Sequence, residues 1–409
     1  MIRVAFWYDR PQEYTGGLHY VKNLLYAVSM ANEGTIEPYV VFGSDVDTAV
    51  VDQFAQMATV VRTRILERGT LAWLLNRVLF KYFGPLWLVN RVMRKHGIRI
   101  VSHAEHVYGH GRPYRLISWL PDFQYLHLPE LFPTVDPERE TRRLLELAGG
   151  SDAVVLSSRA ALEDFRRIAP PDILARTSVL QFVSQPAWGD AGADPALEAG
   201  RLGAKYGFQG KFFFLPNQFW SHKNHQVVFE AVNLLKRAGL DVLVLCTGNL
   251  RDYRLKDNTY AEGLQDYIRE NSLEGNIRIL GLIEYGDVLA LMRSSLAVLN
   301  PSRFEGWSST VEEARSMGKN LILSNIAVHI EQNPPRAAYF SPDDVQALAD
   351  ILGRTWHADP QQWSAELEAQ CRADLQARTL KYGRGYVQLV QRVAVGEPGE
   401  IAGAGLDAD

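Results

Sequence analysis

The chain has 409 residues and a formal net charge of -4 at neutral pH. A hydrophobic fraction of 47% with 11% aromatics excludes a disordered or low-complexity protein, and the length exceeds what one core usually organises, so two domains are expected. Two cysteines, Cys246 and Cys371, exclude a disulfide scaffold and have no metal-ligand spacing, which points to a reduced, cytoplasmic chain.

Charge is distributed unevenly. Residues 62–99 hold nine Lys or Arg and one acidic residue, so this segment carries +8 and the remainder -12. A basic patch on an acidic protein points to an anionic surface or substrate. The N-terminal residues are charged too soon for a leader peptide, and no apolar run approaches the ~20 residues of a spanning helix.

Ile2 to Tyr8 reads as a first strand, followed by a polar loop, Asp9 to Thr15, then Gly16-Gly17, then a helix over Leu18 to Met30. Strand, glycine turn and helix form a unit that lets backbone N–H groups approach a phosphate. Val40 to Phe42 and Thr59 to Arg62 continue as strands. Thr70 to Phe83 and Pro85 to His96 are two helices in which Trp73, Phe80, Phe83 and Trp87 interleave with Arg77, Lys81, Arg91, Arg94 and Lys95. Such a pattern fits an anionic membrane surface, or equally an amphipathic helix that buries its aromatics and leaves its cations solvated. No nucleic-acid partner is expected, because no groove-reading or single-strand module accompanies the patch.

Ile98 to Ser102 and Leu116 to Trp119 are further strands. They place His103, His106, Asp122 and His127 near C-terminal strand edges, where open α/β sheets bind ligands. Asp152 to Ser158 is a strand and Arg159 to Arg167 a helix. Ser184 to Gly203, rich in Gly, Ala, Asp and Pro, has the composition of a linker. A second α/β unit then begins at Lys211 to Leu215, with strands over 242–246, 277–280, 296–299 and 320–324, and a long helix over 361–393. The domains are therefore drawn at 1–190, with about 375–395 crossing back, and at 205–370, with a mobile tail at 396–409.

Two stretches of the second unit carry chemistry. Pro216 to His225 leaves a strand and enters a helix, which places Lys223 at a strand edge, where its point charge suits a diphosphate. Pro301 to Gly318 reads as strand end, loop and helix, with Glu305 facing a helix N-terminus and Glu313 on the helix itself. Ser309-x-x-Glu312 and Thr310-x-x-Glu313 also fit capping boxes, which need no ligand. That alternative leaves Glu305 unexplained.

The early Gly-Gly, the strand-end Lys and the form Pro301-Ser-x-x-Glu305-Gly…Glu313-Ala resemble the retaining family 4 glycosyltransferases. The resemblance runs through most of residues 1–355 and is strongest from Ile277 to Pro342. It implies the α/β GT-B fold: two Rossmann-like domains facing across a cleft, with the C-terminal helix packing back on the first. It also implies transfer of a sugar from a nucleotide-sugar with retention at the anomeric carbon, with no bound metal and no cofactor. By position, Gly16 and Gly17 would meet the donor diphosphate, Lys223 and His222 the phosphates, and Glu305 the sugar hydroxyls. Gly306, Trp307, Ser308 and Ser309 would meet the sugar or phosphate through backbone groups, and Glu313 the ribose. There are two departures: Gln218 stands where the family often has Arg, and Pro121 stands where it has a catalytic His, leaving Asp122 beside it. A glycan or lipid-linked acceptor is expected, with a nucleotide-sugar-binding partner subunit of weak activity as the alternative.

Overall fold

The computed structural model describes residues 1–8, 15–83, 86–104, 111–132, 135–186, 195–252, 258–358 and 364–396. The expected polar loop at 9–14, His106, residues 187–194 of the expected linker and the tail beyond 396 lie outside these. The chain forms two compact units: 1–123, 134–183 and 376–409 make the first, and 124–133 with 184–375 make the second.

The elements run β1 (Ile2–Tyr8), α1 (Thr15–Ala31), β2 (Ile36–Gly43), α2 (Thr48–Ala55), β3 (Thr59–Thr63), α3 (Leu71–Phe83), α4 (Trp87–Lys95), β4 (Ile100–Ala104), β5 (Arg115–Leu120), α5 (Gln124–His127), α6 (Pro137–Gly149), β6 (Ala153–Leu156), α7 (Arg159–Ile168), α8 (Pro171–Leu174) and β7 (Thr177–Val179). Then follow α9 (Pro195–Tyr206), β8 (Phe213–Leu215), α10 (His225–Arg237), β9 (Val244–Cys246), α11 (Thr259–Glu270), β10 (Ile277–Ile279), α12 (Tyr285–Ser294), β11 (Val298–Asn300), α13 (Ser309–Ser316), β12 (Leu321–Ser324), α14 (Ala327–Gln332), β13 (Ala337–Phe340), α15 (Val345–His357) and α16 (Ala365–Val395).

Both units are open parallel sheets. The first orders its strands β3-β2-β1-β4-β5-β6-β7 and the second β10-β9-β8-β11-β12-β13. In each, the order reverses beside the first strand, at β1/β4 and at β8/β11, and the loops leaving those strands open a crevice where such sheets bind ligands. The strands are short apolar runs because helices cover both faces. In the second sheet, Phe213, Leu215 and Val244 pack into one core, while Phe212, Phe214 and Leu245 pack into the other. Burying each Phe contributes about 2 to 3 kcal/mol.

Helix α16 begins in the second unit and ends in the first. Within the first unit it lies so close to α1 that a Cβ at Gly383 would meet the Ala27 carbonyl oxygen at 2.2 Å. Only glycine fits that crossing.

Some local expectations change. Gly16 and Gly17 lie inside the first turn of α1, which begins at Thr15, so they form no turn ahead of it. The expected linker ends in a helix from Pro195, because proline suits the first helical position and Leu-Glu-Ala-Gly-Arg-Leu continues it. Of the aromatic face expected over Thr70 to His96, Trp73 is half-buried under the Arg77 guanidinium, 5.1 Å from its ring centre, and Trp87 is exposed, while the side chains of Phe80 and Phe83 lie outside those described.

Candidate active site

The site grows from the loops after β8 and β11. The loop after β8 turns through a 3-10 segment, Ser221–Lys223, and ends at Asn224, whose φ of 56° is left-handed. Asparagine tolerates that conformation. Its amide donates to the carbonyl oxygens of Pro301, at 3.1 Å, and Pro342, at 2.8 Å, tying this loop to the one after β11. Asn217 adds a second tie, donating to Asn300 Oδ1 at 3.1 Å. Gln218, which stands where the resembled family often has arginine, accepts the Asn249 N–H at 2.7 Å.

These ties hold Lys223 against Glu305. The ammonium donates to Glu305 Oε1 at 2.6 Å, and Ser302 Oγ donates to the same oxygen at 2.7 Å. The side chains are only 15% and 8% exposed, so the pair is largely desolvated. Burial alone would raise the Glu305 pKa. The adjacent Lys223 charge outweighs it, aided by His329 and His222, and holds the carboxyl down at about 2. The group is therefore a fixed anion at neutral pH. An ammonium has three donors, so after this bond Lys223 keeps capacity for a ligand anion.

His329 sits on α14, fully buried, with Nδ1 2.9 Å from the Ser324 carbonyl oxygen, and Ser324 Oγ donates to the Ser302 carbonyl. His222 is buried beside Trp220, their ring centres 5.7 Å apart. His225 cannot add a cation. It is fully buried, stacks on Phe219 at 4.2 Å, and burial pulls its pKa to about 3.

Helix α13 is capped by Ser308, whose Oγ accepts the Val311 N–H at 3.3 Å and an Asn300 amide N–H at 2.8 Å. The two expected capping boxes are therefore wrong: the cap lies one residue before Ser309, and neither Glu312 nor Glu313 sits at its third position. Glu312 is buried and accepts from Gln332 Nε2 at 3.2 Å. The same Gln332 amide grips the Ser308 backbone, donating to its carbonyl at 3.0 Å and accepting its N–H at 3.4 Å. The Ser308 N–H is thus already engaged, unlike the expectation that it meets a ligand. Gly306 and Trp307 are half-buried and Ser309 is exposed.

Glu313 is half-buried and accepts the Tyr285 hydroxyl at 2.8 Å. Burial pushes its carboxyl up to about 7, and the Tyr285 bond opposes that rise. The two carboxyls of the motif are thus tuned apart, one a permanent anion and the other titrating near neutrality. The His127 ring lies tilted against Phe304, next to Glu305, with ring centres 5.1 Å apart.

In the first unit, Gly17 is buried and its carbonyl accepts the Tyr8 hydroxyl at 2.9 Å; Asp122 is half-buried on the loop after β5. His103, a candidate at a strand edge, is structural: it is buried between Tyr20 and Ser102, each 2.9 Å away, and burial pulls its pKa to about 3. Sequence reasoning missed Ser302, Asn217, Asn300, Gln332 and Tyr285. Only Ser302 had a local signal, three residues before Glu305.

Residues 205–368 match the family model described as glycosyl transferases group 1. The fold is GT-B. Over 96% of this chain and 100% of that one, it is similar to sucrose-phosphate synthase from Thermosynechococcus elongatus, with 16% identity and a TM-score of 0.68. A glycosyltransferase from Rickettsia africae aligns over 97% of both chains, with 15% identity and a TM-score of 0.65. HepE from Anabaena, in complex with UDP, covers 96% of this chain and 100% of its own, with 15% identity and a TM-score of 0.65. None of the curated proteins compared matches the chain. The matched residues lie in the second unit and include Lys223, Glu305 and Glu313.

Proposed function

We propose that the chain moves a hexose from a nucleotide-sugar to a lipid-linked or polysaccharide acceptor in cell-surface glycan synthesis, working at the inner face of the membrane. The reading rests on one observation above others: a buried Lys223–Glu305 ion pair at the switch point of a glycosyl transferase group 1 region. A buried pair is costly to keep, and a fold that needed only stability would do as well with apolar side chains.

Each residue has a role in this reading. Lys223 and the first turn of α1 at Gly16 and Gly17 neutralise the donor diphosphate. Glu305 accepts hydrogen bonds from the sugar hydroxyls, backbone groups of Gly306, Trp307 and Ser309 complete that contact, and Glu313 accepts from the ribose. Asp122 meets the sugar or the acceptor. The C1–O bond to the diphosphate breaks as the acceptor oxygen bonds C1 on the same face, and the acceptor proton passes to the departing phosphate oxygen. Lys223 stabilises the charge that grows on that diphosphate. Retention without a protein nucleophile follows, and no metal is required by these groups.

HepE has been crystallised with UDP and with UDP-glucose, which supports a nucleotide-sugar as donor. GDP-mannose is favoured by the family resemblance. The engaged Gln218, in place of an arginine, supports a second reading: a nucleotide-sugar-binding subunit with weak transfer. A transfer and hydrolysis assay across GDP-, UDP- and dTDP-sugars separates the two. Turnover of one donor is expected; binding without turnover would favour the subunit, and neither binding nor turnover would refute both.

A further inference from the structure

Helix α3 presents an apolar stripe to solvent. Leu71, Leu74, Leu75, Val78 and Tyr82 are 81%, 52%, 46%, 42% and 70% exposed, at the i, i+3, i+4, i+7, i+11 spacing of one helical face. Trp87, at the start of α4, is 56% exposed. Six of the fourteen exposed large hydrophobics among the described residues thus fall in seventeen consecutive positions, which is not the scatter of an ordinary surface.

The neighbouring helix supplies charge. α4 turns Val89 and Met93 into the core and leaves Arg91, Arg94 and Lys95 exposed on the face that begins with Trp87. Leu79, Trp87, Leu88, Arg91 and Arg94 wall one depression of about 370 Å³, so apolar and cationic groups meet in a single concavity. On α3, Arg77 and Lys81 flank the stripe and lie over the rings of Trp73 and Tyr82 at 5.1 and 5.7 Å. Long cationic side chains beside an aliphatic stripe can reach headgroups while the stripe enters the acyl boundary.

We infer that α3 and α4 form a docking surface for an anionic lipid bilayer, with Leu71, Leu74, Leu75 and Val78 inserted and Arg91, Arg94 and Lys95 set against the headgroups. Two features favour this occupant over a second copy of the chain. A self-complementary contact would press one +8 segment against another, whereas anionic lipid complements it. The apolar side chains also form a narrow line edged by cations, the form an interfacial helix takes. The inference identifies the surface that the proposed membrane-face acceptor would require, yet it needs no donor or acceptor to be tested.

The test is flotation of the full chain with vesicles of phosphatidylcholine, with and without phosphatidylglycerol. Flotation is expected with the anionic vesicles and loss of it with the neutral ones. Leu74→Asp with Leu75→Asp should abolish it, and Arg91→Glu with Arg94→Glu and Lys95→Glu should weaken partition on the order of a hundredfold. All five positions are exposed, and an unchanged melting temperature checks that the variants fold. Wild-type protein that stays with neither vesicle, or variants that float as the wild type does, would overturn the inference. So would light scattering that shows a dimer dispersed by the Leu74→Asp, Leu75→Asp variant, with no vesicle binding. Donor turnover is measured separately, so failure here leaves the transferase reading standing, and the reverse holds.

Discussion

Each unit buries a polar cluster beside its switch point, and the two clusters are built on opposite electrostatic plans. In the first unit, Tyr386 donates to Ser102 Oγ at 2.7 Å, and Ser102 and Tyr20 flank the two nitrogens of His103. Burial pulls His103 down to about 3 and pushes Tyr20 and Tyr386 up, so every member stays neutral. In the second unit, the pair at 2.6 Å stays charged, with Glu305 held at about 2. A neutral network satisfies its own donors and acceptors and fixes geometry. A buried charge pair instead keeps a field inside the fold. Both regions bury histidines, so burial and histidine content do not distinguish them, whereas the retained charge does.

The largest expected effect comes from breaking the charged pair. Lys223→Ala leaves Glu305 buried without its cation and should cost about 3 to 5 kcal/mol in denaturant unfolding, with transfer lowered about tenfold or more. Glu305→Gln should lower transfer comparably. The pH dependence sharpens the comparison. Glu305 has a depressed folded pKa, so its stabilisation is complete above about 4.5 and is lost as pH falls toward 2. In Lys223→Ala the largest cause opposing desolvation is gone and only His329, His222 and the Ser302 bond still favour the anion, so the folded pKa rises and the gap between variant and wild type should shrink on acidification. A gap that does not depend on pH would mean that the pair is not the source of the cost.

The neutral cluster should respond differently. Tyr386→Phe removes the hydroxyl that donates to Ser102 and should cost about 1 to 2 kcal/mol, with donor turnover unchanged. The whole cluster has its own acid limit. His103 binds its proton in the unfolded chain near 6.5 but in the fold only near 3, so stability is full above about 6.5 and falls as pH drops toward 3. Denaturation curves of Tyr386→Phe and the wild type should therefore run parallel through neutral pH. A turnover defect in this variant would move the cluster out of the structural class.

What was legible in the sequence follows from the range of the forces involved. The sheet strands could be read because parallel strands covered on both faces are plain apolar runs, as in Phe212 to Leu215. β7 and β13 could not, because Thr177-Ser-Val179 is largely polar and Ala337-Ala-Tyr-Phe340 opens on two alanines, so neither is a run of strong strand formers. Glu305 stood out because no local alternative explained it. Its bond to Lys223 spans 82 residues and exists only because β8 and β11 are neighbours. Spacing therefore could nominate the two residues but not pair them. The capping boxes misled because three successive hydroxyl residues, Ser308, Ser309 and Thr310, compete for one cap, and the Asn300 amide at 2.8 Å helps settle it on Ser308. Tyr285, 28 residues before Glu313, left no local trace at all.

That missed tyrosine sets up the smallest and most discriminating effect. The Glu313 carboxyl sits at about 7 because burial raises it more than the Tyr285 bond lowers it. Its folded pKa lies above the ordinary 4.5, so its contribution to stability is complete below about 4.5 and is lost as pH rises through 7. If the carboxylate accepts the ribose hydroxyls, donor binding should move the other way: the donor KM should fall about threefold as pH rises through 7, because a charged acceptor binds more strongly than a neutral one. The diphosphate of a nucleotide-sugar does not titrate in this range. Glu313→Gln should give a flat profile at the higher KM, and Tyr285→Phe should shift the midpoint upward, since it removes the one bond that favours the charged form. A pH slope that survives in Glu313→Gln would release this carboxyl from the donor site and leave Glu305 as the sole functional acid of the motif.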